Sequence, residues 1–227
     1  ADLALQTAEK VLGSDPENGR ALAVMGFAHH KLGQSEKALD FLNRSVTSAP
    51  ESIDPWLLMA ELHREKGQPE QAIAVLNTAH TTFPRDQRVV LTLAKTLLAA
   101  GQASDALSLL QADGTATDFE TALTMIAAEK TLGVAGLEEL VSKTYAAFPD
   151  RPQAIYEYAD LTLQRGERQK AAHLLEPVLA DTSCKDEWRL AYVDSVLGED
   201  YRNVQKTGLP ENESVQRARA LLSEVLA

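Results

Sequence analysis

The sequence predicts an all-α fold, an α-solenoid of stacked antiparallel helix pairs with about thirteen helices. One observation is a 34-residue period in three kinds of small or helix-ending residue. The residues that keep this period are Ala4, Ala38, Ala72 and Ala106, Pro16, Pro50 and Pro84, and Gly33, Gly67 and Gly101. A second observation is that apolar residues inside each unit follow helical spacing rather than strand alternation. A unit of this length holds two helices of about 14 residues and two tight turns.

The best-preserved unit, 53–86, shows how each helix is specified. One face of its first helix is formed by residues at i, i+3, i+4 and i+7, namely Trp56, Met59, Ala60 and His63. Gly67 and Pro69 then break the chain, since glycine suits a left-handed helix end and proline suits the first turn of the next helix. The second helix carries Ala72, Leu76 and Ala79 and ends before Pro84. Ala72 is expected where two helices cross.

These residues resemble the tetratricopeptide repeat pattern, W-x2-L-G-x2-Y followed by A-x3-F and P. The preceding unit follows the pattern at Leu22, Met25, Gly26, His29, Ala38, Leu42 and Pro50. The resemblance covers nearly the whole chain, is strongest up to Gly101, and implies a right-handed superhelix. The alanine-rich helices with few lysines are similar to bacterial members of the family.

We expect one solenoid over residues 1–227. The predicted segments are a second helix alone at 1–18, repeats at 19–52, 53–86, 87–118, 119–151 and 152–184, and a degenerate helix pair at 185–227. Pro177 is expected to kink its helix. An early stop is predicted at 111–115, an irregular stretch at 199–210, and a final helix at about 211–226. Residues 89–93 are predicted to be helical despite their strand-like composition.

The half repeat at 1–18 suggests a segment of a longer protein. A stacked repeat buries its apolar face only with a neighbour on each side. The first helix is therefore expected to be poorly covered, or covered by another molecule. Self-association through this helix is a third hypothesis, after the two functional interpretations given below.

Charge and composition exclude several classes of function. The chain has 22 Lys+Arg against 33 Asp+Glu, a net charge of −11, which argues against a nucleic-acid partner. It has no apolar run of the roughly 18 residues that a membrane span requires, so no direct membrane insertion by this segment is expected. The single cysteine, Cys184, excludes an internal disulfide. Cytoplasmic and bacterial periplasmic locations both stay open.

The sequence contains no recognised catalytic or cofactor-binding motif, so we predict a protein that is not an enzyme and carries no cofactor or metal. His29 and His63 occupy the same repeat position. We expect their rings to pack between helices, because equivalent positions in adjacent repeats lie roughly 10 Å apart, too far to share one metal ion.

The resemblance implies a concave groove lined by the first helix of each repeat, chiefly at its second, fifth, ninth, twelfth and thirteenth residues. The groove residues predicted from it are Arg20, Phe27, Leu57, Glu61, Arg88, Leu91, Lys95, Leu123, Tyr156 and Asp160. Leu57, Leu91 and Leu123 form an apolar row on a surface expected to meet solvent, a feature typical of interaction sites. The alternative is that superhelical curvature or an internal helix buries this row.

The leading prediction is a non-catalytic scaffold that binds a peptide or partner protein in this groove. The alternative is a regulatory or targeting region of a longer enzyme or of a bacterial envelope-assembly protein, in pilus, cytochrome or exopolysaccharide biogenesis. The half repeat at 1–18 motivates this alternative.

Overall fold

The computed structural model describes residues 2–113, 118–133, 136–180, 184–198 and 213–225. These residues form thirteen α-helices and one short 3-10 helix, Val178–Ala180, as the sequence predicts for an all-α solenoid. The helices are α1 Asp2–Ser14, α2 Gly19–Lys31, α3 Ser35–Ser48, α4 Ile53–Glu65, α5 Pro69–Thr82, α6 Gln87–Ala99, α7 Ala103–Asp113, α8 Phe119–Leu132, α9 Leu137–Ala147, α10 Pro152–Gln164, α11 Arg168–Leu175, α12 Asp186–Leu197 and α13 Glu213–Val225. They divide into two compact units, Ala1–Gly133 and Val134–Ala227.

In the first unit, each helix packs on the next along the chain, and the short turns from α1 to α7 make these successive helices antiparallel. The first helices of successive pairs also contact one another, α2 with α4, α4 with α6 and α6 with α8. These first helices therefore form a continuous layer, and the second helices α3, α5 and α7 lie behind it. This layer is the surface on which the groove residues of the first unit are expected.

The helix ends repeat with the same period as the sequence. Gly67 ends the turn after α4 with φ 69°, in the left-handed region that only glycine adopts without strain. At the other end, Asn18 and Asp86 cap α2 and α6 by accepting hydrogen bonds from backbone N–H groups of the first turn. Residues 89–93 lie within α6, so the prediction that they are helical is confirmed.

The repeated alanines lie where helices cross. Ala38, Ala72 and Ala106 are completely buried. Gly26 comes closer still to its neighbour, because a Cβ atom built there would lie 2.6 Å from Cγ of Leu42. Small residues at these positions allow the pairs to pack at the short interaxial distance that the solenoid needs.

The second unit contains α9 to α13 and buries a core around Ala171, Leu175 and Tyr192. The predicted kink at Pro177 is wrong, because α11 ends at Leu175 and residues 178–180 continue as a 3-10 helix. Proline lacks an N–H donor and clashes with the preceding turn, so the helix stops before it.

The final helix is confirmed as α13. Of the early stop predicted at 111–115, residues 111–113 are still helical at the end of α7, and 114–115 lie outside the described residues, as does the irregular stretch predicted at 199–210. The single solenoid with the repeat boundaries given above stays a prediction.

Candidate functional site

The fifth residues of the first helices lie at the margin of the core. Leu57, Leu91 and Leu123 are half-buried. The side chain that follows Leu57, Leu58, is only 5% exposed and packs inside. The helices that carry these three leucines therefore cover part of each side chain and leave the rest exposed to solvent. Phe27 is 37% exposed, the most open of the predicted apolar groove residues.

A cleft of about 230 Å³ lies between α4 and α6. The side chains that line it are Leu57, Ala60, Glu61, Arg64, Thr92, Lys95 and Thr96. Three of the predicted groove residues, Leu57, Glu61 and Lys95, are therefore brought together in one place. The cleft has an apolar floor at Leu57 and Ala60 and a rim that carries both signs of charge.

Two predicted cations of the first unit are engaged in ion pairs. The Arg88 guanidinium lies 3.5 Å from a carboxylate oxygen of Asp86 and 3.0 Å from one of Asp54. Asp86 and, to a smaller extent, Asp54 raise the pKa of Arg88. Lys95 Nζ lies 2.7 Å from a carboxylate oxygen of Glu120. The Arg88–Asp54 and Lys95–Glu120 pairs are exposed and each joins two neighbouring first helices. They therefore add little stability but fix side-chain positions along the layer.

Glu61 and Arg64 stand one turn apart at the rim of the cleft. Within the described part of the chain, neither side chain has an ion-pair partner. Both are exposed. Their side chains are thus available to a ligand. An acidic group of the ligand would pair with Arg64, and a basic group would pair with Glu61.

The structure does not bring Arg20 to this cleft. Arg20 is exposed and lines a different groove, between α1 and α2. Arg88, Leu91 and Leu123 lie on the same layer of first helices but do not line the cleft.

Tyr156 and Asp160 lie on α10 in the second unit. The Tyr156 ring stacks on Trp188, with ring centroids 5.8 Å apart and an interplanar angle of 26°. Asp160 accepts a hydrogen bond of 3.2 Å from Gln164 Nε2. Lys185 Nζ lies 5.5 Å from the centroid of the Trp188 ring. Both predicted residues of this unit are thus half-buried and already in contact with neighbours.

Each of the two equivalent histidines is hydrogen-bonded to the glutamine five residues later in the chain. Nδ1 of His29 donates to Oε1 of Gln34 over 2.7 Å, and Nδ1 of His63 donates to Oε1 of Gln68 over 3.0 Å. The His29 ring also stacks on Phe41, with centroids 5.2 Å apart. The stacking on Phe41 confirms the predicted packing between helices for His29, and His63 is half-buried. No group of three or more metal-ligating side chains occurs among the described residues.

Sequence reasoning missed four residues of the cleft, Ala60, Arg64, Thr92 and Thr96. Arg64 is the twelfth residue of α4, a position that the family pattern already places in the groove, so that signal was available. Thr92 and Thr96 each follow a predicted groove position, Leu91 and Lys95, by one residue. The family pattern gave no reason to expect that, on α6, the residue after each predicted groove position also lines the cleft.

None of the helices in the described ranges has the length and apolar character of a membrane span.

The family model for the tetratricopeptide repeat matches residues 1–62 and 63–129. No curated protein sequence matches the chain.

Several solved structures are similar to this one. A tetratricopeptide repeat protein from Parabacteroides merdae ATCC 43184 has a TM-score of 0.65 and 16% identity, covering 98% of this chain and 91% of its own. PilW, a widely conserved type IV pilus biogenesis factor, has a TM-score of 0.61 and 15% identity, with coverages of 87% and 96%. YrrB, a tetratricopeptide repeat protein with an unusual peptide-binding site, has a TM-score of 0.59 and 14% identity, with coverages of 76% and 90%. At these identities, the likeness shows the fold alone. The matched repeats and the helical architecture together place the chain in the tetratricopeptide repeat family.

Proposed function

We propose that the chain is a non-catalytic scaffold that holds a peptide, or a segment of a partner protein, against the first helices of its first unit. The observation that carries this proposal is the cleft between α4 and α6. It combines a half-buried leucine, Leu57, with exposed charges of both signs at its rim. Apolar anchors surrounded by polar groups are the usual composition of sites where proteins bind.

The cleft suggests the chemistry of its ligand. An apolar side chain of the peptide would enter beside Leu57 and Ala60, and flanking charges would meet Arg64 and Glu61. The hydroxyls of Thr92 and Thr96 can each donate one hydrogen bond and accept up to two, and Thr96 already donates to the carbonyl of Thr92. The specificity for a peptide would therefore come mainly from contacts between the cleft and the peptide's side chains.

The expected affinity is modest. Burying about 400 Å² of apolar surface at about 25 cal/mol/Å² supplies on the order of 10 kcal/mol. Ordering the peptide and losing its translational freedom removes a large part of that gain. We therefore expect dissociation constants in the micromolar range. The similarity in fold to YrrB, a protein with an unusual peptide-binding site, supports a peptide ligand.

The test is affinity capture from an extract of the source organism, with bound proteins identified by mass spectrometry. The native chain is compared with the double variant Leu57→Glu and Leu91→Glu, which places two carboxylates on the apolar row. The matched control is Asn77→Glu with Ser108→Glu, which adds the same two charges at exposed positions on α5 and α7.

A partner retained by the native chain and by the control, but lost from the leucine variant, is the expected result. Equal capture by all three proteins would contradict a ligand bound at this row. Circular dichroism of each variant verifies that the helices persist, so that a lost partner is not the result of unfolding.

The alternative function is a regulatory or targeting region of a longer enzyme or of an envelope-assembly protein. The similarity in fold to PilW, a pilus biogenesis factor, favours the second form of this alternative. The two proposals differ in what the full reading frame encodes. A further domain or a membrane anchor upstream of Ala1, together with no partner that distinguishes the capture variants, would favour the alternative.

A further inference from the structure

A pocket of about 500 Å³ lies in the second unit, with a lining from α9, α10, α11 and the turns beside them. The lining residues are Tyr145, Pro149, Asp150, Pro152, Ile155, His173, Leu174, Pro177 and Val178. None of them lines the cleft between α4 and α6. The pocket is therefore a separate site, and what it binds does not depend on the function proposed above.

The first unit contains the same arrangement of positions, but a tryptophan occupies it. The residues 99 positions before the pocket residues are Val46, Pro50, Glu51, Ile53, Trp56, Ala74, Val75, Thr78 and Ala79. Five of these, Val46, Ile53, Trp56, Val75 and Ala79, pack together in one apolar cluster. The largest side chain among them is Trp56, which is 9% exposed and corresponds to Ile155. The pocket is thus the second unit's version of a site that holds an indole ring in the first unit.

The burial of Ile155 differs from that of its equivalents. The fourth residues of α2, α4, α6 and α8 are Leu22, Trp56, Val90 and Ala122, and all four are buried. Ile155 is the fourth residue of α10 and is only half-buried. The pocket therefore leaves open a position that each of the earlier first helices covers.

Two departures from the repeat explain the opening. Ile155 has no ring to fill the space that Trp56 fills. Pro177, which replaces the equivalent Thr78, ends α11 after eight residues, whereas α5 runs for 14 residues. The second helix that lies beside the pocket is therefore shorter than the one that carries Val75 and Ala79 against Trp56.

A hydrogen-bond acceptor for a ring N–H is kept at the pocket. Nε1 of Trp56 donates to the carbonyl of Pro50 over 3.3 Å. Pro149 is the equivalent of Pro50, and the residues before the two prolines have similar backbone angles. Ala49 has φ −141° and ψ 70°, and Phe148 has φ −133° and ψ 58°. The carbonyl of Pro149 thus stands where a ring in the pocket would place its N–H.

The pocket also has an aromatic wall that the first unit lacks. Tyr145 replaces the equivalent Val46. Its ring stacks on Tyr158, with centroids 4.5 Å apart and an interplanar angle of 3°. Lys170 Nζ lies 5.3 Å from the centroid of the Tyr158 ring. These contacts hold the Tyr145 ring in place, where it offers a second aromatic group a favourable partner.

We propose that this pocket binds an indole ring, carried by a small molecule or by a tryptophan residue of a peptide. The ring packs on Ile155 and Tyr145, and its N–H donates to the carbonyl of Pro149. Trp56 in its own repeat is the model for this seating.

The probe is 5-fluoroindole, whose fluorine NMR signal broadens and shifts when it binds to the whole chain. Unlabelled indole should displace it. Benzofuran has the same bicyclic shape with an oxygen in place of the N–H, and it should compete about twofold to tenfold more weakly, the range of one hydrogen bond. No binding of 5-fluoroindole would overturn the proposal, and equal competition by indole and benzofuran would overturn the seating at Pro149.

The first pair of variants fills the pocket from within. Ile155→Trp restores the residue of the first unit, so its own ring should occupy the space and weaken 5-fluoroindole binding by about tenfold or more. Gln169→Trp adds the same ring to α11 at an exposed position outside the lining, and it should leave binding unchanged. Because Trp56 shows that the repeat accommodates tryptophan here, Ile155→Trp should not lower the melting temperature. Equal binding by the two variants would overturn the proposal.

The second pair uses exposed positions only, so it does not disturb the core. His173 lines the pocket and Gln169 does not, although both are exposed on α11. His173→Glu places a carboxylate against the negative face of the bound ring and should weaken binding about threefold or more. Gln169→Glu adds a carboxylate outside the pocket and should have no effect. Unchanged binding by His173→Glu would contradict a ring seated in this pocket.

Two further measurements define the ligand and separate the two proposals. If N-acetyl-5-fluorotryptophanamide binds more tightly than 5-fluoroindole, the site takes a tryptophan residue of a peptide. If it binds more weakly, the site takes a free small molecule, and either result upholds an indole site. The Leu57→Glu and Leu91→Glu chain should bind 5-fluoroindole like the native chain, so failure of the scaffold cleft and failure of the indole pocket are distinguishable.

Discussion

Gly26 and Leu42 pack so closely across α2 and α3 that a Cβ atom on Gly26 would lie 2.6 Å from Cγ and 2.7 Å from Cδ2 of Leu42. The carbonyl oxygen of Ala38 lies 3.4 Å from the same point. Real Cβ atoms essentially never approach other atoms within 3.0 Å, and Leu42 is completely buried in a closely packed core. The crossing of these two helices therefore requires glycine at position 26.

Gly26→Ala should destabilise the chain, although the same exchange at a free helical site is stabilising. We expect the free energy of unfolding to fall by about 1–3 kcal/mol, because the added methyl group displaces Leu42. Urea denaturation measures the change. Gly13→Ala is the matched control, since its Cβ would meet nothing within 4 Å, and it should gain about 0.5–1 kcal/mol. Equal effects at the two glycines would contradict the steric account.

Leu57→Ala and Leu58→Ala should differ in cost, although the residues are adjacent on α4. Leu58 is buried, so its truncation should cost about 2–5 kcal/mol through lost transfer energy and a cavity. Leu57 is half-buried, and about 1 kcal/mol is expected there because solvent fills the space left. Denaturant unfolding of both variants measures the contrast. Similar losses would place Leu57 in the core and remove the apolar floor from the proposed site.

Glu129 gives a pH-dependent prediction. Its side chain is 7% exposed, one carboxylate oxygen has no hydrogen-bond partner within the described residues, and burial raises the pKa of the carboxyl. A raised pKa in the folded chain means that folding favours the protonated form. The cost of ionisation is thus absent well below pH 4 and grows as the pH rises through the folded pKa. Glu129→Gln should stabilise the chain by about 0.5–1 kcal/mol at pH 7.

The advantage of Glu129→Gln should fade as the pH approaches 4, where the native carboxyl is itself neutral. Thermal melts of both proteins at a series of pH values measure this trend. A difference in stability that is independent of pH would show that the charge of Glu129 is not the cause.

Asp118 should behave in the opposite sense. It caps α8 by accepting a 3.0 Å hydrogen bond from the backbone N–H of Thr121, and Gln87 also donates to it. Burial alone would raise the pKa of Asp118, but the hydrogen bonds from Thr121 and Gln87 hold it below its usual value. A lowered folded pKa stabilises the chain above the unfolded pKa of about 4, and this contribution is lost as the pH falls through the folded value.

Replacing Asp118 by alanine should therefore cost about 1 kcal/mol at pH 7 and less below pH 3. Asp118→Asn is the control, because asparagine also caps helices but has no charge to titrate. If the alanine variant lost the same stability at both pH values, the cap would not depend on an ionised carboxylate.

The helices could be predicted from the sequence because their limits depend on local chemistry that the repeat copies. The glycine of the turn after α4, Gly67, recurs at Gly33 and Gly101, so the best-preserved unit predicted the helix limits of the others. Pro177 was harder, since a proline can either kink a helix or end one. The choice depends on packing that no local pattern contains, and here α11 ends.

The candidate site was predictable only in part. The family resemblance placed Leu57, Glu61 and Lys95 on one surface, and the cleft does bring these three together. The pairing of Arg88 with Asp54 and of Lys95 with Glu120 depends on distances between separate helices, which the sequence does not state. Arg20 was assigned to the same surface by its repeat position, but it lines the groove beside α1, where its surroundings differ from those of Asp54 and Arg88.

The succession of contacts in the first unit, in which each helix touches mainly the next one or two along the chain, affects how that unit opens. Short sequence separations between partners favour fast folding, and they also let a terminal element detach without disrupting distant ones. Amide protons of α1, which packs on α2, should therefore exchange with deuterium sooner than those of α4, which contacts α2, α3, α5 and α6. Protection from exchange would rise from α1 toward the middle of the unit.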